Sequence, residues 1–161
     1  AYKLLMPDGA YSASPELFSD KFFGSTYSKT LDPKAAPDEL YISPVSDDIS
    51  VAADGKESVL YDMAAKNEKD KYKVFFGGNY GQVVIKGGCD NGKTLLIIKD
   101  SFANSLAPFL TADYETIIML DLRYSTGSAQ SVIDENNVDD ILFVQEMRSC
   151  SNDKSLIKLT F

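Results

Sequence analysis

The sequence has no histidine, no tryptophan and only two cysteines in 161 residues. The missing histidine excludes the most. A Ser-His-Asp hydrolase needs an imidazole to accept the nucleophile's proton near neutral pH, and this chain supplies none. Zinc sites built on histidine are excluded with it, and two cysteines cannot complete a four-thiolate site. No metal or other cofactor is therefore expected. Cys89 and Cys150 stand in no metal-like spacing. One disulfide or two free thiols would both fit, because the bond depends on Cα separation in the fold.

Positive charge is scarce too. Sixteen Lys and Arg against 24 Asp and Glu give a net charge of −8. Nucleic acid demands clustered basic residues, so no nucleic-acid partner is expected, and anionic membrane surfaces are disfavoured for the same reason. Long hydrophobic runs are missing. Leu95–Ile98 and Thr116–Leu120 fall far short of the roughly 20 apolar residues that span a bilayer, so no membrane segment is expected. There is no internal repeat, low-complexity tract or visible signal peptide. The chain opens on AYKLLMPDGA without an initiator Met, as a processed or truncated chain would.

What is present suffices for one domain, with 44% apolar and 25% charged residues over a length that can bury a real core. Residues 1–10 read as the end of a helix halted by Pro7 and Gly9. PELFSDKFFGSTYSKT is aromatic-rich with a Gly-Ser turn signal, and LDPKAAPDE reads as a surface loop. DELYISPV is a strand, and ISVAADGKESVLYDM is a hairpin turning at Asp54-Gly55. AAKNEKDKY is a charged linker. YKVFFGGNYGQVVIKGG contains two β-rich runs around residues 77–81.

The pattern then changes. TLLIIKD is a compact apolar strand, followed by Phe102, Leu106, Phe109 and Leu110 at helical spacing. Asp100 or Ser101 is the N-cap, and Pro108 must shorten or kink the helix. ETIIMLDLRY is a second apolar strand, GSAQSVIDENN a weak helix and DDILFVQEM a third strand. Continuous apolar strands alternating with helices predict a parallel sheet covered on both faces. Residues 1–90 form a β-rich, irregular part and residues 91–161 a parallel βαβαβ part of one domain, with SLIKLTF as a possible edge strand. The sheet looks incomplete.

In such a sheet ligands bind at the carboxyl ends of strands. Ser101 lies there, at a helix start whose N–H groups favour an anion and could hold an oxyanion. It reads either as a nucleophile or as a plain helix cap. Asn79, in the GGNYG turn, is an oxyanion donor or a turn residue at positive φ. Asn104 contacts substrate, or simply caps or faces solvent. Arg123, ending IIMLDLR, binds an anionic substrate or pairs with Asp121 or Asp100. The aromatics of FFGSTY line a sugar groove or pack in the core.

Three blocks carry a resemblance that covers nearly the whole chain: KDSFANS, the strand ending DLRY, and DKFFGSTYSKT. Together they resemble the DHHW family, SGNH-hydrolase-like proteins of bacterial envelopes related to proteins that O-acetylate alginate and other exopolysaccharides. The resemblance implies an α/β, SGNH-like (flavodoxin-like) three-layer fold and an extracytoplasmic location. Ser101 would match the G-D-S nucleophile, with Lys99 where the glycine usually sits. The family's Asp-His-His-Trp motif, which supplies acid and base, is absent here and by analogy would precede Ala1. The chain is then expected to be a C-terminal portion, inactive alone, of an esterase or O-acyltransferase acting on cell-envelope polysaccharide. The alternative is a non-catalytic carbohydrate-binding or scaffold domain of the same fold. A flavodoxin-like binding domain is disfavoured, because no Ser/Thr/Gly-rich phosphate loop follows the first parallel strand.

Overall fold

The three apolar runs of the second half become neighbouring strands in the computed structural model, which describes residues 2–24, 27, 34–151 and 153–159. β6 (Thr94–Lys99), β7 (Thr116–Leu120) and β8 (Asp140–Val144) pair in parallel with β6 between the other two. Leu95 and Ile97 face one core, and Leu96 and Ile98 face a second on the opposite side. Burial on both faces is why this strand reads as an unbroken apolar run.

The other strands extend the same sheet. β3 (Ser50–Ala53) and β4 (Lys56–Ser58) form the expected hairpin, with Asp54 and Gly55 both at positive φ, 47° and 75°. Such a turn matches the twist of the strands it joins. β5 (Gln82–Lys86) lies between β3 and β7 and is antiparallel to both, giving the order β4-β3-β5-β7-β6-β8. The sheet is therefore mixed, whereas a parallel one was expected. Apolar periodicity reports which faces are buried and carries no information about strand direction. β1 (Glu16–Phe22) and β2 (Asp38–Ile42) make a separate antiparallel pair that sets Phe18 and Leu40 into the first core.

Several local expectations hold and others change. α1 (Tyr2–Leu5) stops before Pro7 as predicted. The YKVF run is a 3-10 helix, Lys71–Val74, instead of a strand, because Asp70 caps it through the Tyr72 N–H. The charged stretch before it holds another, Met63–Asn67, capped by Asp62. The anticipated edge strand SLIKLTF is also 3-10, over Lys154–Leu159. Its Leu156 and Leu159 cover the second core, and Lys158 donates to the Leu122 and Ser125 carbonyls at 2.9 and 2.8 Å. Lying against the sheet face lets those half-buried leucines pack without an edge partner. α3 (Ala129–Asn136) covers the same face. Cys89 and Cys150 are free thiols. The Gly24-Ser25 turn and residues 28–33 fall partly or wholly outside the described residues.

Candidate functional site

Where β6 ends, the chain turns into a 3-10 helix over Ser101–Ser105, followed by α2 (Ala107–Leu110) with Pro108 in its first turn. The proline divides one predicted helix into two short ones, since its ring and missing N–H suit only a helix start. Asp100 is the cap. One carboxylate oxygen accepts from the Phe102 N–H at 2.9 Å and the other from the Glu146 N–H at 2.7 Å. Its own N–H donates to the Val144 carbonyl at 3.1 Å. Asp100 thus binds the carboxyl ends of β6 and β8 together and starts the helix.

Ser101 is consequently not needed as a cap. It is half-buried, and its hydroxyl makes no hydrogen bond among the described residues. Its carbonyl accepts from the Tyr72 hydroxyl at 2.8 Å. Burial is the main reason the Tyr72 phenol is held above its ordinary pKa, so the tyrosine serves as a neutral donor that fixes the serine's backbone.

Asn104, one turn on, is only 2% exposed, which corrects the expectation of a surface position. Its Nδ2 donates to Asn79 Oδ1 at 3.2 Å, while its own Oδ1 is buried without a partner. Asn79 is exposed on the rim. The positive φ angles of its turn belong to Phe76, Gly77 and Gly78 (65°, 79° and 157°), not to Asn79. The strain at Phe76 costs on the order of 1 kcal/mol, and it brings the loop back so that Asn79 meets Asn104.

Arg123 follows β7. Its Nε and Nη2 donate to the two carboxylate oxygens of Asp121 at 2.9 and 2.7 Å, which realises the ion pair with Asp121 in preference to Asp100. That bidentate contact holds the guanidinium pKa above its usual range. Asp121 is fully buried, and Lys99 Nζ lies 3.8 Å from it with its side chain 1% exposed. Burial pushes the Lys99 ammonium below its ordinary pKa, against the pull of Asp121 and with repulsion from Arg123. Lys99, Asp121 and Arg123 therefore form a charged cluster with a net single positive charge at the carboxyl ends of β6 and β7. Of these, Lys99 and Tyr72 were not singled out as site residues from sequence. A lysine closing the apolar run TLLIIK was the available signal.

Asn104 and Asn79 are thus brought together, with Ser101 at the start of the 3-10 helix that carries Asn104, and Arg123 follows the neighbouring strand, engaged with Asp121. Of the FFGSTY aromatics, Phe22 packs on Tyr72, whose hydroxyl reaches the Ser101 carbonyl, and Phe23 stacks on Tyr27. Among the described residues, no three carboxylate or thiol groups converge as a metal site requires, and no helix is long and apolar enough to cross a membrane.

The fold is similar to that of a DHHW family protein from Eubacterium siraeum, with a TM-score of 0.77 and 22% identity over 98% of this chain and 56% of that one. It is also similar to Bacillus cereus PatB1 with a sulfonyl adduct, with a TM-score of 0.66 and 23% identity over 89% of this chain and 50% of that one. A second PatB1 structure matches at a TM-score of 0.58 and 25% identity over 73% and 42% of the two chains. The chain thus spans about half the length of these proteins. No curated protein matches it. The DHHW family profile covers residues 9–120, and the chain belongs to the DHHW family.

Proposed function

We propose that this chain is the nucleophile-bearing part of an extracytoplasmic, SGNH-like serine esterase or O-acyltransferase acting on cell-envelope polysaccharide, with its sheet and covering helices as one portion of a three-layer domain. The observation that carries the reading is that Asp100 performs the capping, so Ser101 is held at a strand's carboxyl end with no structural task for its hydroxyl. The sulfonyl adduct on the Bacillus cereus relative supports it, because sulfonyl electrophiles are captured by activated nucleophiles.

In this mechanism Ser101 Oγ attacks an acyl carbonyl as a base takes its proton. The Ser101 N–H is one of the donors a helix start leaves unpaired, and it faces the developing oxyanion. Asn79 adds a second donor. Asn104 donates to its Oδ1, so its Nδ2 is the group left to serve the oxyanion in this reading. Collapse of the tetrahedral intermediate expels the alcohol, which leaves with the proton from the base. The acyl-serine is then cleaved by water or by a sugar hydroxyl. Arg123 spends two N–H groups on Asp121, and the remainder can steady an anionic substrate. The base comes from chain outside these 161 residues, since no histidine lies within them. That same absence favours the second reading, a binding or scaffold domain without chemistry.

Hydrolysis of p-nitrophenyl acetate tests the proposal. The 161-residue chain should stay at the uncatalysed rate. The longer family protein should turn over, and Ser101→Ala within it should lose about a thousandfold or more. Turnover by the short chain, or retention in the alanine variant, would refute it.

A further inference from the structure

A second concavity opens at the carboxyl end of β7, apart from the turn at Ser101. It is a cleft of about 470 Å³ between the loop that follows β7 and α3. Its lining is apolar at the buried Leu120 and Val132 and aromatic at Tyr124, which is 57% exposed. The Arg123 guanidinium stands 5.3 Å from the centre of the Tyr124 ring and steadies it. Three further lining groups have hydrogen-bonding capacity to spare. The Gln82 amide, the Thr126 hydroxyl and the Glu135 carboxylate make no hydrogen bond or ion pair among the described residues. The other polar side chains at the cleft are engaged. Asp54 accepts from the Gln82 N–H at 2.9 Å, Ser125 accepts from the Gly127 N–H at 3.1 Å, and Ser131 donates to the Ser128 carbonyl at 2.8 Å.

Two loops meet closely to form the cleft. Gly81 lies against the backbone of Tyr124 and Ser125, where a Cβ would stand 3.0 Å away, and its carbonyl accepts from the Asp121 N–H at 2.9 Å. The same loop carries Asn79, whose Oδ1 meets Asn104 in the 3-10 helix that Ser101 begins. β6 and β7 run parallel, and Gln82 of antiparallel β5 stands opposite Leu120. The cleft and Ser101 therefore share one end of the sheet.

We infer that this cleft is a subsite for an uncharged pyranose unit of a polysaccharide. Its apolar and aromatic surface takes the C–H face of the ring. An amide, a hydroxyl and a carboxylate with free capacity exchange hydrogen bonds with the ring hydroxyls. Charge sets the class of sugar. Asp54 and Glu135 line the cleft, and no lysine or arginine does among the described residues. A uronate carboxylate there would meet like charge and lose its water without gaining a partner. Arg123 faces Asp121 and is no part of the lining, so any anionic group it steadies belongs to another unit of the substrate. The role as acceptor subsite rests on the proposed function. Binding of the sugar does not.

NMR titration of the isotope-labelled 161-residue chain tests the inference, with cellotetraose and chitotetraose as neutral probes and tetragalacturonate as the anionic one. The amide signals of Gln82, Tyr124, Thr126 and Glu135 should shift with at least one neutral probe and stay still with tetragalacturonate. Tyr124→Ala and Gln82→Ala, each checked for an unchanged melting temperature, should weaken that binding by about three- to tenfold. Glu135→Lys, on the exposed side of α3, should admit tetragalacturonate. Silence of these signals with both neutral probes at millimolar concentration would overturn the inference. So would equal binding of tetragalacturonate by the unaltered chain, or unweakened binding in both alanine variants. Fluorophosphonate labelling of the longer family protein separates the two claims. Shifts at the cleft with unlabelled Ser101 leave the subsite standing and remove the nucleophile. Labelled Ser101 with a silent cleft does the reverse.

Discussion

Asp121→Asn is the substitution whose cost the charged cluster predicts most sharply. Asp121 is fully buried, accepts two hydrogen bonds from the Arg123 side chain and one from its N–H at 3.2 Å, and faces Lys99 at 3.8 Å. Removing its charge leaves the buried Lys99 ammonium without its counter-ion. Breaking a buried pair on one side costs about 3–5 kcal/mol, which in a domain of this size lowers the melting temperature by roughly 6–20 °C. Lys99→Met should behave oppositely. Lys99 makes no close hydrogen bond to Asp121, and without it the carboxylate keeps every Arg123 contact. Replacing the ammonium by a thioether of similar length should be neutral or stabilising by about 1–2 kcal/mol. Arg123→Gln falls between, at about 1–3 kcal/mol, because Arg123 is partly exposed and Lys99 remains.

The pH dependence adds a check with a definite sign. The folded pKa of Lys99 lies below its ordinary 10.5, so between those values the unfolded chain binds a proton that the folded chain does not. Wild-type stability therefore rises with pH relative to Lys99→Met across that window. The advantage of the methionine variant should be largest near neutral pH and shrink toward pH 10.5. Melting temperatures and urea midpoints of the three variants from pH 6 to 10.5 decide the matter. If Lys99→Met costs as much as Asp121→Asn, the lysine is a tight structural partner and the ranking argued here is wrong.

Three further outcomes are expected. Asp100→Ala should lose about 2–4 kcal/mol by stranding the Phe102 and Glu146 N–H groups, whereas Ser101→Ala should stay within about 0.5 kcal/mol; urea midpoints in the reverse order would make Ser101 the cap. Burial holds Tyr61 and Tyr72 above their ordinary 10.0, and burial together with the Asp140 carboxylate pushes Tyr114 up to about 12. The stability these phenols contribute is intact below pH 10 and lost as pH rises toward 12, so tyrosinate absorbance should show late tyrosines titrating together with unfolding. Gly88→Ala should destabilise severely, because Gly88 has φ of 91° and a Cβ there would lie 2.5 Å from the Thr111 carbonyl oxygen; a melting temperature within 2 °C of wild type would contradict that geometry.

The parts of the fold legible in the sequence were those whose pattern has one physical meaning. TLLIIK and TIIML are buried on alternating faces and DILFV carries the same apolar run, so all three read as strands, and Asp54-Gly55 read as the hairpin it is. Direction was not legible: QVVIK carries the same apolar content whether parallel or antiparallel to its neighbours. The 3-10 segments were missed because YKV and SLIKL have strand-like composition, and the tertiary packing of buried Val74 and of half-buried Leu156 and Leu159 decided their shape. In the site, Ser101 and Arg123 were readable from their places at strand ends. The contact between Asn79 and Asn104 joins residues far apart in the chain, and only the folded loop at Phe76–Gly78 brings it about. Local pattern also could not show that Lys99 turns inward to Asp121, since a lysine ending a strand ordinarily faces water.

The most direct measurement is to treat the longer family protein with a sulfonyl fluoride or fluorophosphonate and map the modified peptide by mass spectrometry. The account predicts a single adduct on Ser101, lost in Ser101→Ala and absent from the 161-residue chain treated alike. An adduct on another residue, or none in a folded longer protein, would contradict the assignment of Ser101 as the nucleophile.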